Sequence, residues 1–178
     1  IVIGFLIAGC LTQAKTGNMV VRQDASPLRF EGTPLQDAVV IGRIEGWKAD
    51  GSAEFDNQLA REDFTDALTR TLRDHGVLSP SREAAGFTLD ARVSGIETYQ
   101  MGMDYTVQSL ITYHLRETGT NRVRMDETVR SSFTAGLGDA FVFTARQQMA
   151  NEGAIRENLA QAMQRMKTIV APQTGAAN

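Results

Sequence analysis

The hydrophobic pattern changes period along the chain. Ile1 to Ala8 form an uninterrupted apolar run without a charge. From Thr12 to about Asp37 no period persists, and prolines stand at positions 27 and 34. That stretch predicts a flexible segment with at most a short strand at Met19-Val20-Val21. Ala38 to Gly46 is rich in β-branched residues and predicts a first strand. A polar turn with Asp50-Gly51 follows. Leu59, Phe64, Leu68 and Leu72 then recur at spacings of three to five, which predicts a helix from about Asp56 to His75. Asp56 suits its N-cap, His75 the negative end of the helix, and Gly76 a left-handed C-cap. Pro80 blocks continuation.

Beyond Pro80 the period falls to two. Phe87, Leu89, Ala91 and Val93 alternate with Thr88, Asp90, Arg92 and Ser94, and Gly95 marks a bulge. A second alternation runs through Val107, Ser109, Ile111, Tyr113 and Leu115. Thr118 to Asn121 reads as a hairpin turn, and Val123, Met125, Val129 and Phe133 as the return strand. A helical period resumes from about Asp139 to Val170, with Ala145, Met149, Ile155, Leu159, Met163 and Met166 near one face and Gly153 as a kink or a point of close packing. The order β-α-β-β-β-α predicts an α+β domain: an antiparallel sheet of about four strands with two main helices on one face. The expected organisation is a leader at 1–9, a tether at 10–37, the folded domain at 38–170 and a disordered tail at 171–178.

Composition narrows the function classes. With 178 residues the chain suits one domain, and a net charge of -3 leaves no nucleic-acid footprint. There is one cysteine, so an internal disulfide and a Cys-rich zinc site are excluded. Its place carries the information. The apolar run before it is too short to span a bilayer, which needs about 20 residues. It has the character of a signal-peptide core. Ile7-Ala8-Gly9-Cys10 resembles the lipobox of bacterial lipoproteins, in which small residues admit the signal peptidase and the cysteine sulfur carries diacylglycerol. The resemblance implies cleavage before Cys10 and further acylation of its amine, giving several chains where one anchors only marginally. Leu11, a non-aspartate after the cysteine, is compatible in enterobacterial lipoproteins with sorting to the outer membrane.

No GK[ST] phosphate loop, GxSxG, HExxH or CxxC motif is present. Asp104, Asp126 and Glu127 are the carboxylates to weigh for acid–base or metal chemistry. Asp126 and Glu127 are strand neighbours and point to opposite faces. Glu127 shares the inward parity of Met125 and Val129, so either a bulge turns it out or it meets a cation. Glu152 lies near the apolar face of the last helix. With Arg146 and Arg156 it suggests a structural ion-pair network, Arg156 standing four residues on in the favourable order. His114 is expected on the sheet surface. Met149, Met163 and Met166 suit core packing or, as an alternative, a lipid or partner groove. No cofactor or metal is implied beyond the lipid on Cys10.

The lipobox, the segment Phe64 to Leu78, the strand Asp104 to Tyr113, and Ala150-Asn151-Glu152-Gly153-Ala154-Ile155-Arg156 together resemble a group of uncharacterised Gram-negative lipoproteins, over roughly Val39 to Met166. Some members are called UDP-N-acetylglucosamine acyltransferases. Such enzymes are built from hexapeptide repeats, and no six-residue period runs through this chain. The element order is also similar to accessory envelope lipoproteins: the lipopolysaccharide-assembly lipoprotein, auxiliary lipoproteins of lipid-transporting ABC systems, and penicillin-binding-protein activators. That likeness is one of architecture, and fold does not fix function. The lipobox, a flexible arm and a compact domain without a recognisable catalytic set lead to the expectation of a lipid-anchored, periplasm-facing, non-catalytic adaptor with an envelope protein partner. A carrier of lipid or glycolipid, and an enzyme of envelope glycans or lipids using Glu152 and Glu127, are the alternatives.

Overall fold

The computed structural model describes residues 15–48, 50, 52–54 and 59–170. A one-turn helix α1 (Thr16–Met19) and a 3-10 turn (Gln23–Ala25) precede strand β1 (Val39–Glu45). Helix α2 (Arg61–Asp74) follows, then strands β2 (Phe87–Met101), β3 (Asp104–Glu117) and β4 (Val123–Ala135), and helix α3 (Phe143–Val170). The expected N-cap Asp56 and the tail 171–178 lie outside the described residues.

The four strands lie in the order β1-β2-β3-β4. The sheet is mixed, which corrects the expectation of a purely antiparallel one. β2, β3 and β4 form an antiparallel meander, but β1 runs parallel to β2, Val39 opposite Phe87 and Glu45 opposite Arg92. The reason is the connection. β1 and β2 are joined through α2, and a crossover helix carries the chain back to its starting end, whereas tight turns reverse it. Gly95 sits at a register shift in β2, as the alternation foretold.

α2 ends in a Schellman cap. Gly76 adopts φ +64, its N–H donates to the Arg73 carbonyl, and the Val77 N–H donates to that of Leu72 at 2.8 Å. The chain leaves the cap along the outer side of β1, where Ser79 N–H bonds the Val39 carbonyl and covers part of that edge. α2 has Glu62 and Asp63 in its first turn but no side-chain cap. A 14-residue helix is marginal alone, so burial of Phe64, Leu68 and Leu72 holds it, each contributing about 1.5–3 kcal/mol.

One core lies between the helices and one sheet face, formed by Leu89, Val107, Ile111, Tyr113, Val129, Ile155, Leu159 and Met163 among others. The other face is polar: Thr106 bonds Thr134 and Thr112 bonds Thr128, each at 2.8 Å across β3 and β4.

From Lys15 onward, the segment expected as a tether is part of this body. Met19, Phe30 and Leu35 are fully or almost fully buried, and Val21 and Leu28 join the same core. Val21 forms no strand. Its N–H instead donates to the buried Thr71 hydroxyl on α2 at 3.1 Å. Irregular backbone satisfied in this way gives no periodic signal, although the apolar residues that pay its ordering entropy are visible in the sequence.

α3 is continuous through Gly153. The glycine serves close packing, since a Cβ there would lie 2.4 Å from the Phe133 ring. Gly153→Leu should therefore destabilise the fold by about 1–3 kcal/mol through overpacking. Phe133→Ala should recover much of that loss in the double variant. Urea unfolding of the four-member cycle measures the coupling, and additive effects would contradict the contact.

Candidate functional site

Ile7, Ala8, Gly9 and Cys10 lie outside the described residues. The described chain enters at Lys15, and α3 holds it there. Glu152 is 3% exposed on α3. One carboxylate oxygen accepts the Lys15 backbone N–H at 2.6 Å and the Gln148 side-chain amide at 2.7 Å; the other accepts the Asn18 side-chain amide at 2.7 Å. One turn on, Arg156 donates to the Asn18 carbonyl at 2.9 Å and lies 5.7 Å from the centre of the Phe133 ring. Glu152 and Arg156 thus grip α1 at both ends.

This corrects the expected ion-pair network. Glu152, Arg146 and Arg156 form no ion pair with one another among the described residues. Glu152 and Arg156 are joined through Asn18. Arg146, 5% exposed, works elsewhere: its guanidinium donates to the carbonyls of Ala140 and Phe141 at 2.7 and 3.0 Å and lies 6.0 Å from the centre of the Phe143 ring. Spacing along α3 is compatible with both arrangements, and only the tertiary fold brings α1 between the two charges.

The remaining candidates are dispersed. Asp126 faces out and meets His114 at 3.0 Å, so His114 is a sheet-surface residue. Glu127 points to the helical side and meets a cation, Arg165 of α3. Asp104 is exposed at the β2–β3 turn. Met163 and Met166 are core residues, while Met149 is 36% exposed. Among the described residues no three His, Cys, Asp or Glu side chains converge as metal ligands. An open cleft of about 480 Å³ between α1 and α2 is lined by Gly17, Val20, Arg22, Asp66, Arg70, Arg73 and Asp74, with Asp66 and Arg70 paired at 2.8 Å.

The densest polar group inside the protein was not singled out from the sequence. Asn158 of α3 accepts the Tyr113 hydroxyl at 2.9 Å, and its amide donates to Ser109 Oγ at 3.0 Å and to the Val129 carbonyl at 2.9 Å. Ser109 and Ser131 lie 2.7 Å apart, and Ser131 donates to the Ala154 carbonyl at 2.7 Å. Its signal was present: Ser109 and Ser131 occupy inward positions of β3 and β4, and a polar residue there requires a partner. Every member is buried and bonded to another, so the group reads as a structural seam. Burial pushes the Tyr113 phenol far above its ordinary range.

No known family model matches the chain, and no curated protein matches it in sequence. Its fold is found among solved structures. A Xanthomonas campestris protein of family DUF330 superposes with a TM-score of 0.57 at 14% identity, over 79% of this chain and 90% of that one. A candidate lipoprotein from Caulobacter crescentus superposes with a TM-score of 0.51 at 13% identity, over 78% of this chain and 95% of that one. At such identities the likeness is one of fold. No helix among the described residues is long and apolar enough to cross a membrane.

Two measurements follow from this geometry. Glu152→Gln should cost roughly 1–3 kcal/mol and free α1, because one amide oxygen cannot replace two carboxylate acceptors. Hydrogen exchange should quicken from Lys15 to Val21 and stay slow in the sheet. For Tyr113, the unfolded phenol loses its proton near pH 10 while the folded one retains it. Its contribution is therefore present below about pH 10 and is lost as pH rises further, at up to about 1.4 kcal/mol per pH unit. Denaturant unfolding of Tyr113→Phe should show a shallower alkaline decline than the parent, and identical slopes would contradict this.

Proposed function

We propose that this chain is a lipoprotein of the bacterial envelope, anchored through lipid on Cys10 and facing the periplasm from the outer membrane. There it acts as a non-catalytic adaptor or accessory subunit. The observation that carries the reading is how close the lipobox-like cysteine stands in the chain to the point at which α3 holds it. The sole cysteine, behind an apolar run and a small-residue pair, stands five residues before Lys15, whose backbone N–H is held by Glu152. A fold shared with a candidate lipoprotein of Caulobacter crescentus supports it.

The grip on α1 alters how such an anchor would work. A tether running to Asp37 would let the domain reach away from the membrane. With Lys15 fixed to α3, the link from Cys10 spans at most about 18 Å. The domain is held against the bilayer, and a partner must come to it there.

Expressed with its natural leader, the protein should be recovered in membranes, and intact mass should show an acylated N-terminal Cys10. Cys10→Ser should move it to the soluble periplasmic fraction. Equal membrane recovery of parent and variant, with no added mass, would overturn the anchor. The adaptor role predicts that cross-linking of the anchored protein enriches a specific envelope protein. Recovery of none above background counts against that role alone.

A further inference from the structure

We propose that the end of the domain formed by the β2–β3 turn and the β4–α3 loop is a foot that enters the interfacial layer of the bilayer. Of the nine large apolar side chains exposed among the described residues, six are here: Met101, Met103, Leu137, Phe141, Val142 and Phe143. Phe141 is 91% and Met101 83% exposed. The two loops are neighbours because Met101 pairs with Asp104 at the turn, while Tyr105 pairs with Ala135 at the end of β4. Tyr105 also packs edge-on against Phe143, with ring centres 5.5 Å apart. Concentration of exposed apolar groups at one end marks an interaction site rather than ordinary surface scatter.

The exposure is built into the fold. Buried Arg146 draws the carbonyls of Ala140 and Phe141 toward the helix, and Asp139 accepts the Gly136 N–H at 2.8 Å. The loop is thus held by its backbone while Phe141 and Val142 stand outward.

The position of the anchor selects the bilayer as occupant, and this orientation rests on the lipoprotein reading of Cys10. The Asn18 carbonyl is held by Arg156 and the Lys15 N–H by Glu152, so the backbone traced backward moves toward the start of α3, where the foot lies. Phe143 is nine residues before Glu152, about 14 Å along the helix. The Cys10–Lys15 link spans at most about 18 Å. Acyl chains on Cys10 therefore enter the membrane beside the foot. The β3–β4 turn, about 45 Å away along β3, is directed off the surface.

Charge specifies the type of contact. Residues 99–106 and 134–143 contain no Lys or Arg and two aspartates, Asp104 and Asp139. Attraction is apolar, so it needs no anionic lipid and survives salt.

The test uses the full chain carrying Cys10→Ser and a single environment-sensitive fluorophore. The label sits at Gly138→Cys in the foot or at Gly119→Cys in the distant turn; an added Cβ meets nothing at either position. Vesicles of phosphatidylethanolamine and phosphatidylglycerol should shift the Gly138 label to the blue, equally at about 1 M salt, and leave the Gly119 label unchanged. Met101→Ser with Met103→Ser and Phe141→Ser should weaken partitioning about tenfold or more. All three side chains are exposed, so an unchanged melting temperature verifies the fold.

In the acylated protein, lipid-borne quenchers should reach the Gly138 label and spare the Gly119 label. A Gly138 label that stays in water with vesicles overturns the foot. A label that responds only to solubilised envelope protein overturns it in favour of a protein-docking surface. An unacylated Cys10 removes the anchor and the orientation drawn from it, while the vesicle result still decides whether the foot binds lipid.

Discussion

The seam between α3 and the sheet sets the position of every other functional feature. Asn158 serves Tyr113, Ser109 and the Val129 carbonyl at once, and Ser131 reaches the Ala154 carbonyl on the helix. An apolar helix on an apolar sheet can slide with little loss of buried area. A slide of one turn, about 5.4 Å, would strand these polar groups without water, at roughly 1–3 kcal/mol for each group left unpaired. Burying polar groups confers little net stability, yet it separates one register from its neighbours. The close seat of Gly153 on Phe133 reinforces the same register from the steric side.

Once α3 is fixed, its length becomes a ruler. Arg146 near its start organises the β4–α3 loop. Glu152 and Arg156 capture α1 in the next turns, and Asn158 docks on the sheet. The side chains that shape the exposed apolar end and those that fix the entry of the chain are thus carried by one rigid element. Their separation is set by helical rise rather than by loop conformation. Were the entry of the chain and the apolar end carried on separate flexible loops, their separation would be undefined.

The sequence was legible wherever burial is periodic. Alternation in β2 to β4, the bulge at Gly95, the left-handed cap at Gly76 and the stripe of α2 all correspond to the structure, because each depends on near neighbours in the chain. Two things were hidden. The direction of β1 depends on a crossover, and its β-rich composition is the same whether its partner runs parallel or antiparallel. The segment from Lys15 to Asp37 packs through Met19, Phe30 and Leu35 at irregular intervals, and its backbone is satisfied by distant side chains such as Thr71 and Glu152. No window along the chain contains both halves of those bonds.

The site residues divide in the same way. Glu152 was conspicuous because a carboxylate on an apolar helix face must have donors. Which donors it had could not be read, since Lys15 and Asn18 lie well over 100 residues away in sequence. An ion pair with Arg156 was the economical assignment on an isolated helix. In the folded protein the same two charges are more useful apart. A carboxylate can take up the N–H groups at the start of a helical turn and a guanidinium the carbonyl at its end, so one turn of α1 inserted between them satisfies both. A one-turn helix has no stability of its own. α1 therefore depends on that bracket together with the burial of Met19 in the core. Two side chains on α3 thus decide where the backbone at Lys15 sits on the domain.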